Sequence, residues 1–391
     1  MAFRKIDDIE FLRGFGMLLV LIGHAKGMLI VWTSPGIELF YHYLFGASGV
    51  DLFFAISGFV IARDLYPKLS ACATRRSFLD ISLAFWTRRI WRIFPTAWLW
   101  LAVILLAAAF FNKSGAFRSF DAAWSGTIAA VFQYYNYWFL KCFGHFDCGA
   151  NFYYWTLSLE EQFYLLLPIA IFLSRRWFPY LLVCLILFQL FFPHRPPIMT
   201  VFRTDALLLG VLIALWSTRP SYRAFDARFL GKSALLRVLV IIGLLVAMAT
   251  DERINAGRLG AFSFSVISLL CAALVLIGSY DKDYLFVPGP FKRFMMWMGS
   301  RSCSVYLLHI PAYYGTQEIW YRIVPSGTVY DSSYFIPFVL TGVALVFGMG
   351  ELSYRFVESP SRRKGTEVSK RFLQRRMAQQ QIDPRASASV L

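Results

Sequence analysis

An all-α integral membrane protein is predicted by three observations on the 391-residue sequence. Hydrophobic residues make up 58% of the chain against 16% charged, and 39 Phe, 20 Tyr and 12 Trp add more apolar mass than a soluble globule could hide. Apolar runs near the ~20 residues that a helix needs to cross ~30 Å of hydrocarbon recur from end to end. The basic residues, which give a net charge of +16, fall in short clusters between those runs. That is a pattern of membrane topology, and nucleic-acid recognition is set aside on it.

In order, the expected spans are 11–31, 44–62, 93–111, 155–173, 177–193, 203–217, 237–250, 259–279, 296–316 and 334–354. The first follows a basic start, yet Arg13 interrupts it and no small-residue cleavage site follows, so it is read as a retained helix rather than a secretory signal. A cytoplasmic N-terminus places 28 of the 39 Lys and Arg in cytoplasmic segments and eight outside, as expected where short inner loops accumulate positive charge. About ten crossings leave both termini cytoplasmic. Residues 121–140 (DAAWSGTIAAVFQYYNYWFL) are apolar enough for a span, but an extra crossing would invert every later loop. They are read as one re-entrant or interfacial helix on the outer side. Residues 1–360 form the membrane domain. Residues 361–391, polar, basic and Gln-rich, read as a solvated or disordered cytoplasmic tail near anionic lipid. No internal repeat is visible, which weakens an inverted-repeat transporter.

Cys142 and Cys148 flank FGHFD in a loop placed outside, where a disulfide and two free thiols both remain open. His145 between them does not make a zinc site, because a closed site needs four ligands. No metal is expected.

Ionisable side chains at membrane depth cost roughly 2.5–3.5 kcal/mol on insertion scales, so each asks for a partner, a water-filled cavity or a function. Arg13 and His24 in the first span share one helix face, since eleven residues turn through about three full turns and rise ~16 Å. A cation near the cytoplasmic mouth and an imidazole deeper in suit a through-going cavity for an anionic donor and a proton transfer. Snorkelling by Arg13 and simple packing by His24 suit the spacing equally. Asp51 (in GVDLFFAISGF) and Glu161 (in WTLSLEEQFY) lie at the depth of His24, and either could orient the imidazole. Glu160 points about 100° away from Glu161, so at most one of the two faces such a cavity. Arg203 and Asp205 open another span and form either a structural ion pair or part of a substrate site. In WTRRIWRIFPTAW, Arg89 and Arg92 stand at i and i+3, a pairing that suits a phosphate, although anionic lipid is the commoner partner of such a cluster. No phosphate-cradling glycine loop and no Gly-x-Ser-x-Gly elbow are present.

Taken in order, these stretches resemble the type 3 membrane acyltransferase family, bacterial proteins that O-acylate sugars of lipopolysaccharide, exopolysaccharide and related glycoconjugates. The residues carrying the likeness are Arg13 and His24 within FLRGFGMLLVLIGHA, GVDLFF to Phe59, Arg89 and Arg92, and Ser158 and Glu161 before Phe163 and Tyr164. FRTDALLLG from Phe202, SVYLLHIP from Ser304 with His309, and FVESP from Phe356 follow. Gly14 and Gly16 depart from the aliphatic or Ala residues expected in the first helix. The likeness covers residues 1–360 as the acyltransferase domain, in a stand-alone form without a fused esterase-like domain.

The resemblance implies transfer of an acyl group, usually acetyl, from cytoplasmic acyl-CoA to a glycan or glycolipid hydroxyl on the far side of the bacterial inner membrane. It implies His24 as general base on the acceptor hydroxyl, or else as a transient acyl carrier, with Glu161 or Asp51 as its partner. Arg13, Arg89 and Arg92 would hold the acetyl-CoA phosphates, and Arg203, Asp205, Ser158, Tyr164 and His309 would contact substrate. Two other readings compete. A transporter of a lipid-linked sugar or small organic ion would use the buried charges as a proton relay. A non-catalytic scaffold gives no reason for costly buried charge.

Overall fold

A computed structural model describes residues 5–382 apart from 45, 47, 73, 194, 255–261 and 287. The described chain is helical: α1 (Asp7–Met28), α2 (Pro35–Tyr43), α3 (Ser48–Ser70), α4 (Arg75–Phe110), α5 (Phe120–Val131), α6 (Tyr135–Cys142), α7 (Tyr154–Ser174), α8 (Phe178–Leu190), α9 (Pro197–Val201), α10 (Asp205–Trp216), α11 (Phe229–Lys232), α12 (Ala234–Ile254), α13 (Ser263–Ser279), α14 (Pro290–Ser300), α15 (Ser302–Ile323), α16 (Phe335–Ser353) and α17 (Ser359–Ile382). Helix runs along the described part of each expected span. By length and composition, however, the helical stretches able to cross a membrane number five among the described residues, or six if the bent pair Pro220–Lys232 and Leu235–Met248 is one span. The difference from ten has a physical source. A helix as short as α10 rises only ~18 Å, well under the hydrocarbon thickness. The span expected at 296–316 is instead divided at Arg301, where α14 ends and α15 begins.

Segment 121–140 forms two short helices, α5 and α6, rather than one. Ser119 caps α5 by accepting from the Ala122 amide. Phe120, Trp124 and Tyr137 on these helices, and Phe132 between them, stay exposed, and neither helix is long enough to traverse hydrocarbon. Cys142, at the end of α6, is disulfide-bonded to Cys148.

The bundle is assembled by close backbone approach. A methyl group added at Gly14 would collide with the backbone of Met295, at Gly299 with the carbonyl of Glu10, at Gly58 with that of Leu207, and at Gly210 with that of Ala55. These positions seat α1 on α14 and α3 on α10, as small residues do where the apolar solvent gives side chains little reason to associate. The glycine departure noted at Gly14 is therefore what lets the two backbones touch.

The expectation of a solvated or disordered end from residue 361 is corrected for its described part. α17 is helical through Ile382 and lies along the first half of α4. Ser369 donates to the Ala84 carbonyl (3.1 Å) and accepts from Arg88 (2.9 Å), Arg376 Nε is 3.2 Å from Asp80, and Lys364 lies over the Trp91 ring.

Candidate active site

α1 places two polar side chains far apart on one helix. Arg13 is near its start, and His24 stands just before Lys26 and Gly27, where the helix breaks; Gly27 has φ +80°, the left-handed conformation that favours glycine. α15 runs beside α1 and is locked to it by side chains that reach its backbone. Tyr313 donates to the Leu21 carbonyl (2.9 Å) and Gln317 to that of Met28 (2.6 Å). This lock brings residues 285 positions apart into register: His24 Nδ1 and His309 Nε2 are 3.2 Å apart. His309 Nδ1 is 2.6 Å from the Tyr306 carbonyl, and His309 is fully buried with the Tyr153 ring 5.2 Å away. His24 is half-buried and packs edge-on against Phe152.

Toward the other end of α1 a cavity of about 100 Å³ lies among α1, α3, α4, α7 and α15. Arg13, Arg89 and Arg92 line it together with Glu160, Cys303 and Tyr306. Arg13 is partly engaged, with Glu10 at 2.6 Å, while Arg89 lies over the rings of Phe85 and Tyr164. Glu160 accepts hydrogen bonds from Ser57 and Tyr164. The cavity thus pairs a threefold cationic wall with an apolar one formed by Val50, Phe53, Phe54, Ile61 and Leu157. Side chains of that kind, guanidinium groups beside an apolar surface, are suited to pairing with an anionic group. Tyr306 joins the two regions. It lines the cavity, its hydroxyl is 2.6 Å from that of Thr156, and its carbonyl meets His309.

Over residues 6–351 the sequence matches the family described as an acyltransferase domain. The chain belongs to that family, the type 3 membrane acyltransferases. Among the relatives of this chain are the O-acetyltransferase OatA of Staphylococcus aureus, 27% identical over 93% of this chain and 58% of the relative, and the peptidoglycan O-acetyltransferase OatA of Listeria monocytogenes, 26% identical over 93% and 56%. The chain therefore spans little more than half the length of these relatives. No solved structure matches it.

Several residue expectations are corrected. Asp51 does not reach His24. It lies about 100° around α3 from the cavity-lining Val50, and Arg203 Nε stands 3.0 Å from its Oδ1, an ion pair without a well-directed hydrogen bond. Arg203 is accordingly not the partner of Asp205, which binds Arg195 at 2.6 Å. Both pairs are buried, and the Phe264 ring lies against both guanidiniums. Of the adjacent glutamates it is Glu160 that lines the cavity, on the face of α7 shared with Leu157 and Tyr164. One oxygen of Glu161 is buried without a hydrogen-bond partner. Ser158 accepts from the Tyr135 amide (3.2 Å) and holds α6 to α7. His309 faces His24 rather than the arginine cavity. Sequence reasoning missed Arg195, Cys303 and the hydroxyls of Ser57, Thr156 and Tyr306. The polar stripe Ser302, Tyr306, His309 on one face of α15, at spacings of four and three, was the available signal for that helix.

Proposed function

We propose that this acyltransferase moves an acetyl group from acyl-CoA, bound at the arginine cavity, to a hydroxyl of an envelope glycan, with His24 as general base. The observation that carries the reading is the convergence of Arg13, Arg89 and Arg92 on one cavity, with Tyr306 linking it to the His24–His309 pair. The arginines would hold the donor phosphates by charge-assisted hydrogen bonds while the apolar wall takes the pantetheine arm. His24 would take the proton from the acceptor hydroxyl as its oxygen attacks the thioester carbonyl. The carbon–sulfur bond then breaks, and the CoA thiolate leaves and is protonated. Peptidoglycan, named for the Listeria relative, is the first acceptor to try, and lipopolysaccharide or exopolysaccharide sugars are its chemical equivalents.

In this reading the chain is a multi-pass protein of the bacterial inner membrane with about ten crossings. Both termini and the arginine cavity face the cytoplasm, and the Cys142–Cys148 loop faces outward. A disulfide is at home in an oxidising compartment, which supports that side for the loop.

Two experiments test the proposal. Purified protein given radiolabelled acetyl-CoA and glycan fragments should produce O-acetylated sugar, and substrate flux in proteoliposomes without acetyl-CoA would favour a transporter instead. In that assay Arg92→Ala should raise KM for acetyl-CoA about tenfold, roughly 1.4 kcal/mol of lost binding, with kcat nearly unchanged. An unaltered KM would remove Arg92 from the donor site. For orientation, Cys142 and Cys148 in a Cys184→Ser background should react with an impermeant maleimide only after reduction and only from outside. Reaction from the cytoplasmic face would invert the topology.

A further inference from the structure

Hydrogen-bond direction at the histidine pair is determined by chemistry. A backbone carbonyl can only accept, so at 2.6 Å from the Tyr306 oxygen the proton must sit on His309 Nδ1. In the neutral ring, Nε2 of His309 is then a bare lone pair. It faces His24 Nδ1 at 3.2 Å, and a lone pair accepts only from an N–H. The proton of neutral His24 is thereby drawn to Nδ1, leaving Nε2 as the basic nitrogen. The His24 ring also hydrogen-bonds the Val20 backbone one turn back on α1, so its orientation comes from its own helix and, through His309, from α15, with no carboxylate in either path.

We infer that His309 is a positioning residue that fixes the tautomer of His24, presenting Nε2 to the acceptor hydroxyl. This deepens the reading of His24 as base and rests on it. The surroundings suit the task. His309 is fully buried, its ring is hemmed in by Tyr153 and Tyr313, and the Tyr153 hydroxyl donates to the Leu307 carbonyl at 2.5 Å, holding the same turn of α15. A buried imidazole bonded to a backbone carbonyl keeps its acceptor aimed, much as an outer-shell partner fixes the ring of a metal-ligating histidine. The selection needs both rings neutral, because a doubly protonated His309 would present N–H to His24 and reverse the preference.

The direct test uses isotope-labelled histidine in the full-length protein. Ring nitrogen resonances of His24, assigned by their loss in His24→Ala, should report Nδ1–H with Nε2 unprotonated, and this readout is independent of activity. In His309→Leu, which removes the acceptor, the signals should change to a mixture or to the opposite tautomer. In His309→Gln, whose amide oxygen can stand near the lost Nε2, the original pattern should persist. Kinetically, His309→Leu should lower kcat about 100-fold with KM for acetyl-CoA within about twofold, and His309→Gln should recover to within about tenfold of the parent. An Nε2–H tautomer at His24 in the unmutated protein, or equal activity of the Leu and Gln variants, would overturn the inference. Full activity of His24→Ala would overturn the base assignment instead, so the two failures are distinguishable.

Discussion

His24→Ala should abolish acetyl transfer, with a loss in kcat of more than about 10³-fold, while the protein still inserts and still binds acetyl-CoA. General-base catalysis contributes roughly 10²–10⁴-fold, and the described residues give His24 no carboxylate neighbour to take over: Asp51 is committed to Arg203, and Glu160 is held by Ser57 and Tyr164 in the arginine cavity. The proposed donor site should survive, because its cationic wall belongs to the other end of α1 and to α4. The check is a transfer assay run beside acetyl-CoA binding on the same preparation. Retained binding with lost transfer is the expected pair, and normal transfer would remove His24 from the chemistry.

A second large effect is expected far from any reacting atom. Gly210→Leu should destabilise the folded protein by about 3 kcal/mol or more, visible as loss of a monodisperse peak in detergent and a lowered unfolding temperature. The side chain would be driven into the carbonyl of Ala55, part of α3 rather than a side chain that can turn aside. Gly58 makes the reciprocal approach to the Leu207 carbonyl, so the interface has no slack on either side. Because α3 supplies Phe53, Phe54 and Ser57 to the arginine cavity, pushing it from α10 would disturb that cavity as well. Gly348→Ala is the matching control, since an added methyl there meets nothing within 4 Å. A folded Gly210→Leu protein of parental stability would contradict the packing described.

Much of this architecture can be read from the sequence because hydrocarbon imposes a simple rule: apolar runs become helices, and the rare charges within them mark the interior. Helical spacing alone put Arg13 and His24 on one face and Arg89 beside Arg92, and these three arginines do share a cavity. Rotation about a helix axis is harder to infer. Which of Glu160 and Glu161 faces inward depends on how α7 is turned by its neighbours, and α3 likewise directs Asp51 to Arg203. The His24–His309 contact joins residues 285 apart, and no local pattern announces it. The tail misled through composition. Its low hydrophobicity reads as disorder, but Arg, Lys, Gln and Glu are good helix formers, and contacts from α4 supply the rest.

The docking of α17 on α4 bears on where the chain can be cut. A cut after residue 360, which the apolar pattern invites, would fall just beyond Glu358, whose carboxylate caps α15 by accepting from the Ser304 amide (3.1 Å) and hydroxyl (2.7 Å). It would also strip Ser369 and Arg376 from the α4 surface they cover and bare Trp91 and Asp80 to water. A fusion partner or affinity tag is therefore best joined beyond Arg376, where the contacts with α4 are kept.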